Sequence, residues 1–108
     1  MNDVYVGKGT LAGKGVYTNR DFKKGDIVIQ YRLTELSNDD YEGLSDGEKM
    51  FTHEHCGTIY LYGEPERYVN HSDTPNTLPD LMNQCDVAVR NIRKGEMITT
   101  DEAKDDAF

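Results

Sequence analysis

The stretch Arg67-Tyr68-Val69-Asn70-His71-Ser72-Asp73-Thr74-Pro75-Asn76 is the most informative in this chain of 108 residues. Its side chains are polar and turn-prone. Asn, Ser and Asp bond their own backbone, and Pro75 fixes the direction of the chain. A histidine between Asn70 and Ser72 suits catalysis, metal binding or plain structure. A nucleophilic triad is excluded, because adjacent His71 and Ser72 cannot adopt nucleophile–base geometry. The sequence on either side decides among the remaining readings.

Short runs rich in β-branched and aromatic residues flank the stretch: Val4-Tyr5-Val6, Gly15 to Thr18, Asp26 to Tyr31, Thr58 to Tyr62 and Asp86 to Ile92. Bounded by glycine or polar clusters, they read as strands. Alternation places Ile27, Ile29 and Tyr31 on one face, and Val87 with Val89 on another. Tyr60 and Tyr62 alternate with Ile59 and Leu61 as packing residues. Ser37 to His53 is the candidate helical zone, with Ser37 or Asn38 as cap and Asp39, Asp40 and Glu42 in the first turn. Gly43 and Gly47 weaken it. One segment has an echo: Phe22-Lys23-Lys24-Gly25-Asp26-Ile27-Val28 resembles Ile92-Arg93-Lys94-Gly95-Glu96-Met97-Ile98. Each copy has an apolar anchor, two basic residues, a glycine for a tight turn, an acid, and then a strand.

Composition limits the function classes. Net charge is −8, with 20 acidic and 12 basic residues, and the acids fall ten in each half. A basic footprint for nucleic acid is absent, so no direct DNA or RNA binding is expected. No apolar run approaches the ~20 residues of a membrane span, and the N-terminus lacks a signal-peptide pattern. Leu, Ile, Val and Phe number 22, so the expected core is lean. Cys56 and Cys85 read as two reduced thiols of an intracellular, cytoplasmic protein. His53 and His55 fall at strand spacing, but two ligands do not make a metal site, and no metal is expected. The run Glu35 to Glu48, with six acids and no base, reads as a solvated face, with a rim that attracts a basic peptide as the functional alternative. Residues 103–108 read as an acidic, flexible tail.

With its flanks, the central stretch resembles a known signature. Arg67-Tyr68 followed by Asn70-His71-Ser72-x-x-Pro75-Asn76 is similar to the R-[FY]-x-N-H-S-x-x-P-N string of the SET domain, the fold of most protein lysine methyltransferases. Upstream, Gly13-Lys14-Gly15-Val16-Tyr17, then Phe22 to Asp26 and Ile29-Gln30-Tyr31, resembles the family's opening. Downstream, Val87 to Ile98 and Thr99-Thr100-Asp101-Glu102 resembles its closing strand pair and its T-x-D-Y ending. The resemblance spans Val4 to Glu102 and accounts for the echoed turn, which the family uses in both places.

The resemblance implies a mostly β fold of several small sheets with one or two short helices. The N-H-S segment passes beneath a loop of the last strands in a knot-like substructure. It implies S-adenosylmethionine on one face, a lysine side chain on the other, and a narrow channel between. Carried onto this sequence, Gly13, Lys14, Gly15, Tyr17, Arg67, Tyr68, Asn70 and His71 are the expected cofactor residues. Tyr31 is the expected channel tyrosine, and Glu102 stands where the family has its active-site tyrosine. The chemistry suits these types: glycine admits close backbone approach, Asn both donates and accepts, and a tyrosine confines and orients an amine. Asp73 replaces a zinc-ligating cysteine of many members, and the matching C-terminal cysteine cluster is missing. The expectation is a single minimal domain over residues 1–108 without structural zinc. The expected activity is lysine methylation on a basic protein or histone-like tail, with nuclear or chromatin association if the source is eukaryotic or viral. A homodimer contact is one way to close the channel. The second reading, from Glu102, is a SET-like domain that binds cofactor or a basic peptide without efficient turnover.

Overall fold

Strands form where β-branched and aromatic residues cluster. A computed structural model describes residues 3–101. A hairpin of β1 (Val4–Leu11) and β2 (Lys14–Thr18) leads into β3 (Ile27–Gln30) and β4 (Thr34–Leu36). Two one-turn helices follow, α1 (Asn38–Glu42) and α2 (Asp46–Lys49). Then come β5 (Thr52–His55), β6 (Thr58–Leu61), a 3-10 turn at Glu66–Tyr68, β7 (Asn70–His71), β8 (Thr77–Asp80), β9 (Cys85–Ala88) and β10 (Met97–Thr100). They build three small sheets with orders β1-β2-β10-β7, β3-β9-β8 and β4-β6-β5. The mostly β expectation holds. One pairing is parallel: Thr99 and Thr100 of β10 lie beside Asn70 and His71 of β7.

The echoed turns explain why two of the sheets share one core. Gly25 and Gly95 have φ of 93° and 90°, the left-handed region that glycine enters without steric cost. The acid after each glycine accepts from the turn it follows: Asp26 from Lys23 N (2.8 Å) and Glu96 from Arg93 N (3.4 Å). The two turns also bond each other reciprocally. Phe22 and Ile92 exchange both backbone hydrogen bonds (2.8 and 2.9 Å). Lys24 N donates to the Asn91 side chain and Lys94 N to the Asp21 side chain. Gly25 N donates to Ala88 O, and Gly95 N to Thr18 O. The result is a local pseudo-dyad. The strand entering each turn pairs with the strand leaving the other, β2 with β10 and β9 with β3. The anchors Phe22 and Ile92 are each 1% exposed and sit at the centre of the core with Val16, Val28, Ile29, Ala88 and Ile98.

Two sequence expectations change. Ile29 and Tyr31 are buried as alternation predicts, but Ile27 is 54% exposed and Val28 is buried instead. A register shift between Ile27 and Ile29 against β9 breaks the alternation, as a bulge does. The helical zone divides into α1 and α2. Ser37 caps α1 in a capping box with Asp40, Gly43 ends it, and Ser45 caps α2. From Thr52 the chain is already β5, so His53 lies on a strand. Cys56 and Cys85 are free thiols, the first exposed and the second buried. Among the described residues no helix is long and apolar enough to cross a membrane, and no group of three or more His, Cys, Asp or Glu side chains is placed to hold a metal.

Asn76, 1% exposed, ties the segment after Pro75 to β10. Its Nδ2 donates to Met97 O (2.8 Å) and Glu96 Oε2 (3.2 Å), while its Oδ1 accepts from Thr99 N (2.8 Å). Thr77 Oγ1 adds a bond to Thr99 O (2.8 Å). Asn76→Ala therefore leaves several buried groups without partners. It is expected to cost about 3 kcal/mol in urea-denaturation experiments.

Glu96 gives the turn before β10 a pH dependence. The Arg90 guanidinium (2.9 Å) holds its carboxyl below the ordinary glutamate range, with help from the Asn76 amide and the Arg93 N–H. A carboxyl with a depressed folded value stabilises the fold above its ordinary value of about 4.3 and loses that contribution as pH falls through the depressed value. The expected outcome is a stability curve that drops below about pH 4.3, with the Glu96→Gln curve flatter over the same interval in urea titrations.

Candidate functional site

Asn70 organises the first half of the site. The β1–β2 hairpin turns at Ala12-Gly13, both with positive φ (53° and 79°), the pattern of a type I′ turn. Just before the turn, Lys8 and Leu11 both stand opposite Lys14, so Gly9-Thr10 bulges out of the strand. Only glycine fits the bulge, because a Cβ on Gly9 would lie 2.3 Å from Lys14 O. The bulge carries Thr10 to Asn70, whose Oδ1 accepts from Thr10 N (2.8 Å) and Thr10 Oγ1 (2.7 Å). Asn70 Nδ2 donates to Lys14 O (2.9 Å) and Tyr68 O (2.8 Å). All four hydrogen-bonding positions of this 4% exposed amide are used. Gly15 packs here as well: an added Cβ would meet Lys8 O at 3.1 Å, Met97 Sδ at 3.2 Å and Asn70 Nδ2 at 3.4 Å.

The rest of the hairpin face follows from this anchor. The Lys14 ammonium lies 4.8 Å from the centroid of the Tyr68 ring. Tyr68 is buried, donates to Glu64 (3.1 Å) and meets Phe51 edge-on (5.5 Å, 79°). Tyr17 stacks on Tyr5 and donates to Lys8 O (2.6 Å). His71 is exposed, with Nε2 at 3.2 Å from Asp73 and Nδ1 at 3.9 Å from Asp101.

A cavity of about 280 Å³ lies behind this face, lined among others by Leu11, Tyr31, Phe51, Tyr62, Val69 and Thr100. The two regions share a wall. Leu11 closes the hairpin turn opposite Lys14, Val69 separates Tyr68 from Asn70, and Thr100 pairs with His71. Tyr31 donates its hydroxyl to buried Asp86 and meets Tyr62 edge-on at 5.7 Å. Tyr31 also borders a second depression of about 630 Å³ with Tyr5, Gln30 and Arg32.

Gly13, Lys14, Gly15, Tyr68, Asn70 and His71 thus come together around the hairpin, and Tyr17 lies further along β2. Arg67 stands apart from them. Its Nε and Nη2 donate to Tyr62 O (3.0 and 2.7 Å), and its Nη1 to Glu48 (3.1 Å), with the guanidinium 4.9 Å above the Phe51 ring. Arg67 lines the cavity as a strut between α2 and the 3-10 turn. Glu102 and the tail lie outside the described residues. Sequence reasoning missed Gly9, Thr10, Phe51, Glu66 and Asp86. A glycine inside a strand-like run does signal a bulge, so Gly9 was detectable. The others carry no local pattern.

The family profile described as the SET domain matches residues 13–101. The chain belongs to the SET domain family. Among similar proteins, histone-lysine N-methyltransferase 2D of Homo sapiens is 33% identical over 115 residues, covering 93% of this chain and 2% of that protein. Histone-lysine N-methyltransferase trr of Drosophila melanogaster is 29% identical over the same length, covering 93% of this chain and 5% of that protein. The chain therefore spans only a few per cent of these relatives' length. A crystal structure of a candidate histone methyltransferase from Plasmodium falciparum superposes with a TM-score of 0.73 at 24% identity, covering 94% of this chain and 93% of that one. An autoinhibited ctPRC2 structure bound to S-adenosylmethionine gives a TM-score of 0.75 at 21% identity over 96% of this chain and 15% of that one. At these identities the likeness establishes the fold. The parallel β7–β10 contact joins the N-H-S segment of this SET domain to β10.

Asn70 is expected to be intolerant of its isostere. Asn70→Asp turns both donors into acceptors facing Lys14 O and Tyr68 O. It should cost about 3 kcal/mol at neutral pH, more than Asn70→Ala, and regain part of that on acidification as the new carboxyl protonates. Urea titrations at two pH values check this.

Proposed function

We propose that this SET domain is an S-adenosylmethionine-dependent protein lysine N-methyltransferase acting on a basic protein or histone-like tail. The observation that carries the reading is the wall shared by the hairpin face and the aromatic cavity. Methyl transfer requires two ligands held end to end, and the adjoining of the two sites at Leu11, Val69 and Thr100 supports that arrangement. The histone-lysine methyltransferase names of the relatives support it, as does a net charge of −8, which favours encounter with lysine-rich chains.

The hairpin face fits the cofactor. A Cβ on Gly13 would meet nothing within 4 Å, so the turn offers open space beside backbone. Lys14 supplies a cation for the carboxylate of the methionine portion, and exposed His71 offers a ring at the other side of the motif. Tyr68 and Gly15 shape the floor, and Tyr17 extends it along β2. Asn70 positions the hairpin through Thr10 and Lys14. When bound, S-adenosylmethionine supplies a sulfonium methyl group. On the cavity side, Tyr31, fixed by Asp86 and Tyr62, confines the acceptor amine and excludes water around it.

A second reading is a domain that binds cofactor or a basic peptide without efficient turnover. The sequence Thr100-Asp101-Glu102 favours it, because two aromatic positions of the family's ending carry other residues here. A carboxylate at Glu102 stabilises an ammonium, whereas the transfer needs a neutral amine. Calorimetric titration with S-adenosylmethionine, followed by methyl transfer to core histones, separates the readings. Binding with transfer is expected. Binding without transfer supports the second reading, and no binding defeats both. Glu102→Tyr should raise the transfer rate by about tenfold or more.

A further inference from the structure

The whole-chain charge argues against nucleic acid, but the fold distributes the bases unevenly. The echoed turns extend two residues ahead of their apolar anchors. Arg20-Asp21-Phe22-Lys23-Lys24-Gly25-Asp26 and Arg90-Asn91-Ile92-Arg93-Lys94-Gly95-Glu96 carry a cation at the same three positions and hold six of the twelve basic residues. The correspondence is structural as well. Arg20 Nη1 donates to Asp21 O and Arg90 Nη1 to Asn91 O, both at 2.9 Å. Phe22 and Ile92 form an antiparallel bridge and point into the core. Alternation then turns their neighbours Lys23 and Arg93 the other way, out to solvent. Lys24 and Lys94 follow at opposite ends of the bridged pair, with their backbone N–H groups fixed by Asn91 and Asp21. Four positions at roughly 3.3 Å separate these ends, a span of about 13 Å.

The charges on this surface are of two kinds. Arg20 pairs with Asp3 (3.3 Å) and Arg90 with Glu96 (2.9 Å), while Asp21, Asp26 and Glu96 accept from backbone N–H groups of the turns. Lys23, Lys24, Arg93 and Lys94 are exposed and have no ion-pair partner among the described residues. Six bases against four acids leave the surface at +2, and the remaining six bases and sixteen acids leave the rest of the chain at −10. The acidic run Glu35 to Glu48 lies elsewhere, from β4 of the third sheet through α1 and α2. At physiological salt the screening length is about 8 Å, against molecular dimensions of 41 × 28 × 27 Å, so a partner at the turns meets the local charge first. We propose that the paired turns are a docking surface for the phosphate backbone of duplex DNA. What the surface lacks selects the partner. The Phe22 and Ile92 backbones are bonded to each other, so no sheet edge opens between the turns for an acidic peptide. Their side chains are buried, which leaves neither an apolar anchor for a peptide nor an exposed ring to stack the bases of a single strand. Recognition is then by charge density. A duplex carries one negative charge per roughly 1.7 Å of axis, so the four free cations meet several phosphates within their span. The proposal does not rest on the methyltransferase reading.

The test is fluorescence anisotropy of a labelled DNA duplex of about 20 base pairs, titrated with the chain at salt from about 25 to 100 mM. Four phosphate contacts at a slope of roughly −0.9 each predict that wild-type affinity falls about 150-fold over that range, whatever the duplex sequence. The variants Lys23→Gln/Lys24→Gln and Arg93→Gln/Lys94→Gln keep the backbone N–H groups that hold the turns. Each should bind more weakly and lose only about 12-fold over the same range, the two to a similar extent. Lys49→Gln, on α2, should match the wild type, and a loss there equal to theirs overturns the assignment. Amide-resolved NMR of the wild type should place the largest duplex-induced shifts at Lys23–Gly25 and Arg93–Gly95, a readout that needs no variant to fold. Absence of binding at the lowest salt overturns the proposal. So does an unchanged salt dependence in either folded pair variant, and so does equal or tighter binding of poly-glutamate or of phosphatidylserine vesicles at matched charge. Calorimetry with S-adenosylmethionine on the same samples reports separately on the function proposed above. Duplex binding without cofactor binding keeps the surface and removes the methyltransferase. Cofactor binding and transfer without duplex binding keep the enzyme and remove the surface.

Discussion

The segment from Asn70 to Asn76 is held at both ends by buried amides with every hydrogen-bonding position in use. Asn70 grips the β1–β2 hairpin through Thr10 and Lys14, and Asn76 grips β10 through Met97 and Thr99. Neither end is replaceable by an apolar residue, because the groups they satisfy are backbone atoms that cannot be removed. The hairpin face, the parallel β7–β10 contact and the wall of the cavity all hang on these two side chains. They explain how a chain with so few aliphatic residues holds two distant termini of its fold in one place.

The reciprocal turns supply the other half of the rigidity. Phe22 and Ile92 are separated by 70 positions, yet their backbones bond each other and their side chains form the centre of the core. The turn acids, Asp26 and Glu96, close their own turns. Glu96 also reaches Asn76, so the pseudo-dyad and the segment after Pro75 are joined through one carboxylate. Strand exchange about this dyad is what brings β10 beside β2, and hence Thr100 to the cavity.

Inward-bonded and outward-facing polar groups alternate among neighbouring residues. Asn70 and Arg67, conspicuous in the motif, spend their polar groups inside the protein. Lys14, His71 and the open turn at Gly13 face outward. Glu66, inconspicuous in sequence, ties Gly63 and Arg32 together through one carboxylate oxygen. A polar side chain in a signature string is therefore not by itself a ligand contact. Whether it is one depends on how many of its donors and acceptors the backbone has already taken.

The sequence by itself determined the family, the mostly β class, the K-G turns, the Ser37 cap and the cluster around the hairpin. These rest on local chemistry: glycine for positive φ, capping side chains, β-branched runs, and one string too specific to be a generic loop. Tertiary structure decided the bulges at Gly9 and between Ile27 and Ile29, the division of the helical zone, the internal engagement of Arg67, and the place of Phe51, Glu66, Asp86 and Thr100 around one cavity. Those depend on which distant backbone groups need partners and which surfaces meet. Strand alternation and residue spacing describe one segment at a time, and contacts such as Arg32 to Glu66 or Thr10 to Asn70 exist only after separate segments have packed.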